Sequence, residues 1–334
     1  MQNFKIWDKR DQNRYSLCRI PGIIITSSGT LIIYNEARES RSDWAMMDIF
    51  CRRSTDGGKT FSAPIYLAKG SAEHPTVNNP VMAEGQNGVI HFLYCEDYGT
   101  RGGRVLHRTS EDDGISWSTP IDISNSTLTD MRNVFALGPG HGICTRSGRL
   151  IFPFWLVPKK FGAPVNAHIP SEVGILYSDD GVSWHTSSLL TNCAEILSPN
   201  ETVAAELEDG SIYLAIRHNA YYRACALTRD CINFESYTPE FDLRDPICFG
   251  SAVSVGDTLF FVNCDNTGQR QNITLKASKD GGKTWLAPFI IDENRGGYAD
   301  IAADKNNGKL YVLYENNFGE ELYLAVIDEA FKHN

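Results

Sequence analysis

Short runs of apolar residues, many β-branched or aromatic, recur along the chain between clusters of Gly, Asp, Asn and Ser: LIIYNEA, DIFCRRS, GVIHFLYC, RVLHRTS, RLIFPFWLV, VGILYS, SIYLAIR, TLFFVN, NITLKAS and KLYVLYE. Each run has the length of one strand, and long helical periodicity is absent. The pattern predicts an all-β chain of many short strands joined by tight turns.

The turns themselves repeat. Ser54-Thr-Asp56-Gly-Gly58-Lys-Thr60-Phe61 returns at Ser110 to Trp117 (SEDDGISW) and at Ser278 to Trp285 (SKDGGKTW), and in shorter versions at Ser178 to Trp184 (SDDGVSW) and Thr228 to Phe234 (TRDCINF). The motif suits a hairpin: Asp hydrogen-bonds backbone amides in the turn, Gly supplies a positive φ, and the aromatic residue folds back onto the hairpin. Start-to-start spacings of 56, 68, 50 and 50 residues signal a repeat architecture, each repeat the size of one four-stranded blade. A chain of 334 residues then accommodates six blades, so the expectation is a six-bladed β-propeller with Asp-box repeats, one domain over residues 1–334. The boxes are structural, and the fold alone does not decide function.

Hydrophobic residues at 42% and charged residues at 22% fit an ordinary globular domain. A net charge of −10 disfavours a nucleic-acid partner, because phosphate recognition needs a surplus of Lys and Arg. An anionic ligand would need a local basic pocket. Nine cysteines, an odd number without a CxxC pair, suggest reduced thiols rather than a zinc site or a disulfide framework. No cofactor or metal is implied. The N-terminus MQNFKIWDKRDQNRYS lacks the apolar run of a signal peptide, and no stretch approaches the ~20 apolar residues of a membrane span. The expectation is a cytoplasmic protein without a membrane partner, or a secreted one if a signal peptide has been trimmed.

Near the N-terminus Cys18-Arg19-Ile20-Pro21-Gly22 is followed by GTLIIYNEARESRSD. Here the chain resembles the sialidase superfamily, whose first blade carries Arg-Ile-Pro, then a strand ending in Glu-x-Arg, then a catalytic Asp. Further landmarks run along the chain: GPGHGI from Gly138, SPNETVAAEL from Ser198, AIRHNA around Arg217, TGQRQNITL around Arg270, GGYADI around Tyr298 and LYVLYE ending at Glu315. The resemblance implies an exo-acting, retaining, metal-independent hydrolase of α-ketosidically linked sialic acid, with a sialylated glycoconjugate as substrate.

The substrate's chemistry makes sense of these residue types. A sialic acid carries a carboxylate on its anomeric carbon, and arginine meets a planar carboxylate with paired donors and a permanent charge. Arg19, Arg217 and Arg270 match the family's arginine triad and lie in or beside strands of different repeats, which a propeller brings together at its axis. A carboxylate nucleophile would be repelled by the substrate's own carboxylate, and sialidases use tyrosine instead. Tyr298 matches that nucleophile and Glu201 the base that takes its proton. Asp43, five residues after Arg38, matches the acid/base; Asp48 is the competing choice and fits better as a residue opening the strand DIFCRRS. Arg38 would contact substrate or Asp43, Glu36 would stand beside it, and Glu315 matches a glutamate orienting Arg19.

Two departures stand out: Gly22 where the family commonly has Ala, and Ala299 where it commonly has Ser. No motif identifies the residues that would hold the N-acyl and glycerol arms; Trp44, Trp155 and Tyr222 are candidates, with core or rim packing as the competing reading, and Arg295 reads as a loop residue outside the clamp. Two rival readings are hydrolysis of a related ulosonic acid, such as a deaminated sialic acid, and a non-catalytic propeller that binds acidic glycans. The second rival predicts loss of Tyr298, Glu201 or Asp43, and all three are present.

Overall fold

The apolar runs form strands that pair antiparallel into six sheets, in a computed structural model that describes residues 1–11, 14–97, 103–159 and 167–328. Five sheets have four strands, and the third has an added two-residue strand, Ile143–Cys144. The first strand of each sheet is innermost: Leu17–Ile25, Val77–Glu84, Arg132–Leu137, Thr202–Glu206, Ser251–Val255 and Ala299–Asp304, in blades 1 to 6. The N-terminal strand Gln2–Asp8 pairs with Glu321–Ile327 as the outer strand of blade 6. This pairing fastens the two ends of the chain and closes the ring of blades into the expected six-bladed β-propeller.

Side chains between the sheets form the core. Phe135 stacks on Phe154 at 4.7 Å, and Trp184 of blade 3 meets His107 of blade 2 at 5.2 Å. Blades 1 to 5 each carry one Asp box between their third and fourth strands. Blade 6 takes its fourth strand from the N-terminus and so has no such turn. In the second box the Asp112 carboxylate accepts the N–H groups of Ile115 (3.1 Å) and Ser116 (2.8 Å) and the Ser110 hydroxyl (2.9 Å). The Gly114 N–H donates to Ser110 Oγ at 2.9 Å. Gly114 has φ +81°, and a Cβ there would lie 2.8 Å from Ile32 Cδ1. The fourth box replaces this glycine with Cys231 at φ +59°.

The Gly22 departure has a packing reason. A Cβ on Gly22 would lie 2.0 Å from Tyr34 Cε2, so the missing methyl lets the fully buried Tyr34 ring lie against the inner strand. Its hydroxyl donates to Gly140 O (2.8 Å) and accepts from Met82 N (3.0 Å), linking blade 1 to blades 2 and 3.

Hydrogen bonds from Ser116, side chain first and then backbone, hold Asp112 down to about 2, below its ordinary 3.8. A carboxyl with a depressed folded-state pKa contributes stability above its unfolded value and loses it as pH falls through the folded one. Asp112→Asn therefore lowers the melting temperature at pH 7 by about 1–3 °C, for about 1 kcal/mol after discounting for solvent screening. Melting curves from pH 7 downward check this: the gap to the parent narrows between about pH 4 and pH 2.

Candidate active site

The inner strands of blades 1 and 2 are irregular at the same point. The pairing of Leu17–Ile25 slips between Arg19 and Gly22, and that of Val77–Glu84 between Asn78 and Val81. In each slip the residue before proline has left-handed backbone, Ile20 at φ +55° and Asn79 at φ +52°. For a β-branched residue this is strained and persists only where its surroundings impose it. The Ile20 N–H donates to Glu315 Oε1 at 3.0 Å.

Glu315, fully buried in the strand Lys309–Asn316, binds more than Ile20. Its Oε1 also accepts Arg19 Nε at 2.8 Å, and its Oε2 accepts the Tyr298 N–H at 3.1 Å. Its own N–H donates to Tyr298 O at 2.9 Å. One carboxylate thus joins the arginine of blade 1 to the tyrosine of blade 6. Gly297 makes room for it, since a Cβ there would lie 2.1 Å from Glu315 Oε2.

The Tyr298 hydroxyl donates to Glu201 Oε1 at 2.5 Å and accepts from Arg217 Nη1 at 3.0 Å. Arg217 also pairs with Glu201 Oε2, and its N–H donates to Glu201 O at 2.9 Å. Burial pushes the phenol well above its ordinary 10 and Glu201 adds to this, while Arg217, Arg270 and Arg19 pull it back. Arg19 and Arg270 stand over the Tyr298 ring, their guanidinium carbons 5.0 and 5.4 Å from its centroid. Arg270 Nη2 donates to Ile247 O at 3.0 Å. Among the described residues Arg270 has no carboxylate partner, so its charge is the least committed of the three.

On the opposite wall Arg38 bridges two carboxylates. Its Nε donates to Glu36 Oε2 at 2.7 Å and its Nη1 to Asp43 Oδ1 at 2.5 Å. Glu36 Oε1 accepts the Asn79 N–H at 2.7 Å. Burial pushes Glu36 above its usual value. Asp43 is part-exposed; burial opposes its charge, but Arg38 outweighs that and holds it below the usual carboxylate value.

A pocket of about 230 Å³ is lined by Arg19, Arg38, Asp43, Glu201, Arg217, Arg270 and Tyr298, with Glu36 and Glu315 directly behind. All nine residues singled out in the sequence therefore meet in one place. Asp48 lies elsewhere, fully buried and accepting from Tyr15 Oη at 2.5 Å. Arg295 is not in a loop as expected but ends the strand Phe289–Arg295, paired with Gln271; it is exposed and packs on Phe318. Trp155 lines the pocket, Trp44 packs on His168 at 6.1 Å, and Tyr222 lies outside, its hydroxyl donating to Glu195 O. Sequence reasoning missed Asn79, His168 and His218 among the lining residues. The signal for Asn79 was available, because Asn79-Pro80 repeats Ile20-Pro21 one blade later. His218 is neutral, pushed down to about 4 by burial and then by Arg223. Among the described residues no group of three or more His, Cys, Asp or Glu side chains is placed to hold a metal ion, and no helix is long and apolar enough to cross a membrane.

Removing one partner of a buried ion pair leaves the other uncompensated. Glu315→Gln keeps the shape and loses the charge facing Arg19, which retains 15% side-chain exposure. The expected cost is about 2–4 kcal/mol, below the fully buried limit because of that exposure. Urea unfolding of the parent and the variant measures it.

Residues 69–312 match the family model described as BNR repeat-like domain. A sialidase of Bacteroides fragilis is 29% identical over 92% of this chain and 61% of its own length. A sialidase of Micromonospora viridifaciens is 27% identical over 90% of this chain and 50% of its own. Human Sialidase-3 is 25% identical over 92% and 87%. The chain thus spans half to three-fifths of the two bacterial relatives and most of the human one. Among solved structures, Hadza microbial sialidase Hz136 is similar with a TM-score of 0.84 and 25% identity, covering 98% of this chain and 68% of that one. The leech intramolecular trans-sialidase has a TM-score of 0.79 at 16% identity, covering 98% and 70%, a likeness of fold alone. The propeller, its Asp boxes and these matches place the chain in the BNR repeat-like family, within the sialidase superfamily.

Proposed function

We propose that this chain is a retaining exo-α-sialidase that removes terminal sialic acid from glycoconjugates. The observation that carries the reading is the Tyr298 phenol, hydrogen-bonded to Glu201 at 2.5 Å and ringed by three arginines. A phenol with a raised pKa is a weak nucleophile, and a carboxylate on its proton is what activates it. Its relatives named sialidase, and an Arthroderma benhamiae relative named exo-alpha-sialidase at 23% identity, support the substrate class.

The substrate carboxylate enters against Arg270, whose charge has no carboxylate partner among the described residues, with Arg19 and Arg217 on either side. This sets the anomeric carbon above Tyr298. As Tyr298 Oη attacks, its proton passes to Glu201, and Arg217 steadies the negative charge shared between them. Asp43 protonates the departing glycosidic oxygen and then takes a proton from the water that releases the sugar. In the free chain Arg38 keeps Asp43 ionised, so Asp43 must gain a proton as substrate binds. The incoming carboxylate adds the negative field that favours this uptake. Two displacements at one carbon return the original configuration.

Two outcomes test the reading. With a fluorogenic sialoside, Tyr298→Phe lowers kcat by roughly 10²–10⁴-fold while an unsaturated sialic-acid analogue still binds within a few-fold of the parent. Unchanged turnover in this variant removes Tyr298 as nucleophile, and a β-configured first product by NMR removes retention. Arg270→Lys lowers kcat/KM about ten- to hundredfold, because a point ammonium loses a charge-assisted bond of roughly 1.5–3 kcal/mol. Arg295→Lys leaves kcat/KM unchanged; the reverse pattern would place the third clamp arginine elsewhere.

A further inference from the structure

Beneath the pocket the segment Gly138–Gly142 is tied directly to four other blades and, through Asp300, to the fifth. It leaves the inner strand of blade 3, and Gly138 O accepts Thr202 N of blade 4 at 3.0 Å. Gly140 O accepts Tyr34 Oη of blade 1, and Gly142 N donates to Met82 O of blade 2 at 2.9 Å. His141 Nδ1 meets Asp300 Oδ1 of blade 6 at 2.8 Å. Asp300, fully buried, also accepts Ser251 Oγ of blade 5 at 2.5 Å and Ile23 N of blade 1 at 2.8 Å. All six blades are therefore joined at one polar hub. A buried carboxylate is tolerated only when its lone pairs are met in this way.

The hub stands directly under Tyr298. Asp300 lies two residues further along the same segment, and side chains two apart on a strand share a face. Phe249 fills the space between: its ring packs on Tyr298 at 5.7 Å, and its Cζ lies 2.8 Å from where a Cβ on Gly140 would sit. The clamp arginines are tethered not to the hub but to Glu315, Glu201 and Ile247 O. A loosened hub therefore displaces the tyrosine ring first, while the arginines, although they touch that ring, keep these tethers of their own.

We propose that His141 and Asp300 are positioning residues for Tyr298, fixing the height and tilt of its ring by fastening all six inner strands beneath it. The proposal rests on the reading of Tyr298 as nucleophile only for its kinetic consequence. Its structural content has an independent readout, the ¹⁹F NMR line of 3-fluorotyrosine at Tyr298, assigned by its disappearance in Tyr298→Phe.

His141→Leu and Asp300→Asn break the hub; His141→Asn keeps a donor near the position of the imidazole Nδ1. For His141→Leu and Asp300→Asn, kcat on a fluorogenic sialoside falls about ten- to hundredfold, the scale of an ångström of misplacement. KM and analogue affinity stay within about threefold, and the Tyr298 line shifts. His141→Asn recovers most of kcat and returns the line toward its parent position. Ser251→Ala, which removes one bond and fills no new space, lowers kcat about two- to fivefold and decides the matter if the stronger variants do not fold. All rates are taken well below each variant's melting temperature. An unmoved Tyr298 line in His141→Leu overturns the proposal, as does an unmoved line in Ser251→Ala where the stronger variants fail to fold. So does a parallel fall in kcat and analogue affinity, or a His141→Asn no better than His141→Leu. A parent that cleaves no sialoside while its line shifts as expected instead overturns the proposed activity and leaves the positioning intact.

Discussion

The Glu315 carboxylate is the interaction on which the site depends. It lies on the second strand of the last blade and holds, at one point, the Arg19 guanidinium, the strained Ile20 amide and the Tyr298 amide. The left-handed backbone at Ile20 is unfavourable for a β-branched residue, and the bond from its amide to Glu315 is what the surroundings offer against that strain. Without the slip in pairing at Ile20, the side chain of Arg19 would follow the regular alternation of the strand. Gly297 completes the arrangement by having no side chain where the carboxylate approaches. The join between first and last blades is thus also the join between Arg19 and Tyr298.

The charges around the pocket are arranged rather than merely abundant. The chain is acidic overall, and the pocket's arginines are unequally committed. Arg19, Arg38 and Arg217 each face at least one carboxylate, which holds their guanidinium groups in place and spends part of their field. Arg270 faces a backbone carbonyl and, among the described residues, no carboxylate. On the other wall, Arg38 between Glu36 and Asp43 sets the protonation state of the part-exposed carboxyl before any ligand arrives.

The scaffold separates stability from chemistry by radius. Asp boxes lie on the outer part of blades 1 to 5, where each aspartate closes a turn on its own amides. Arg19, Glu201 and Tyr298 lie in or beside inner strands, and the hub of Asp300, His141 and Ser251 ties these strands below the pocket. Gly22 and Tyr34 show how a change in one place is met in another: the lost methyl admits a ring whose hydroxyl joins three blades.

Much was legible in the residues alone. Strand identity follows from short apolar runs bounded by turn formers, and blade number from the spacing of a turn motif whose every position has a local reason, since Asp, Gly and Ser satisfy one another within a few residues. The nine site residues were legible through motifs: Arg-Ile-Pro, Glu-Ala-Arg with Asp43 five residues on, and Gly-Gly-Tyr, and the landmarks around Glu201, Arg217, Arg270 and Glu315. Other features depend on residues far apart in the chain, and no local pattern encodes them. The Glu315 carboxylate reaching Arg19 across 296 positions, Glu201 on the Tyr298 hydroxyl across 97, and His141 on Asp300 across 159 exist only because the N-terminal strand closes the ring. Asn79, His168 and His218 joined the pocket for the same reason. Local hydrogen bonding and side-chain periodicity determined the strands and turns from sequence; the radial convergence of six inner strands, which only the closed propeller creates, decided which charges meet.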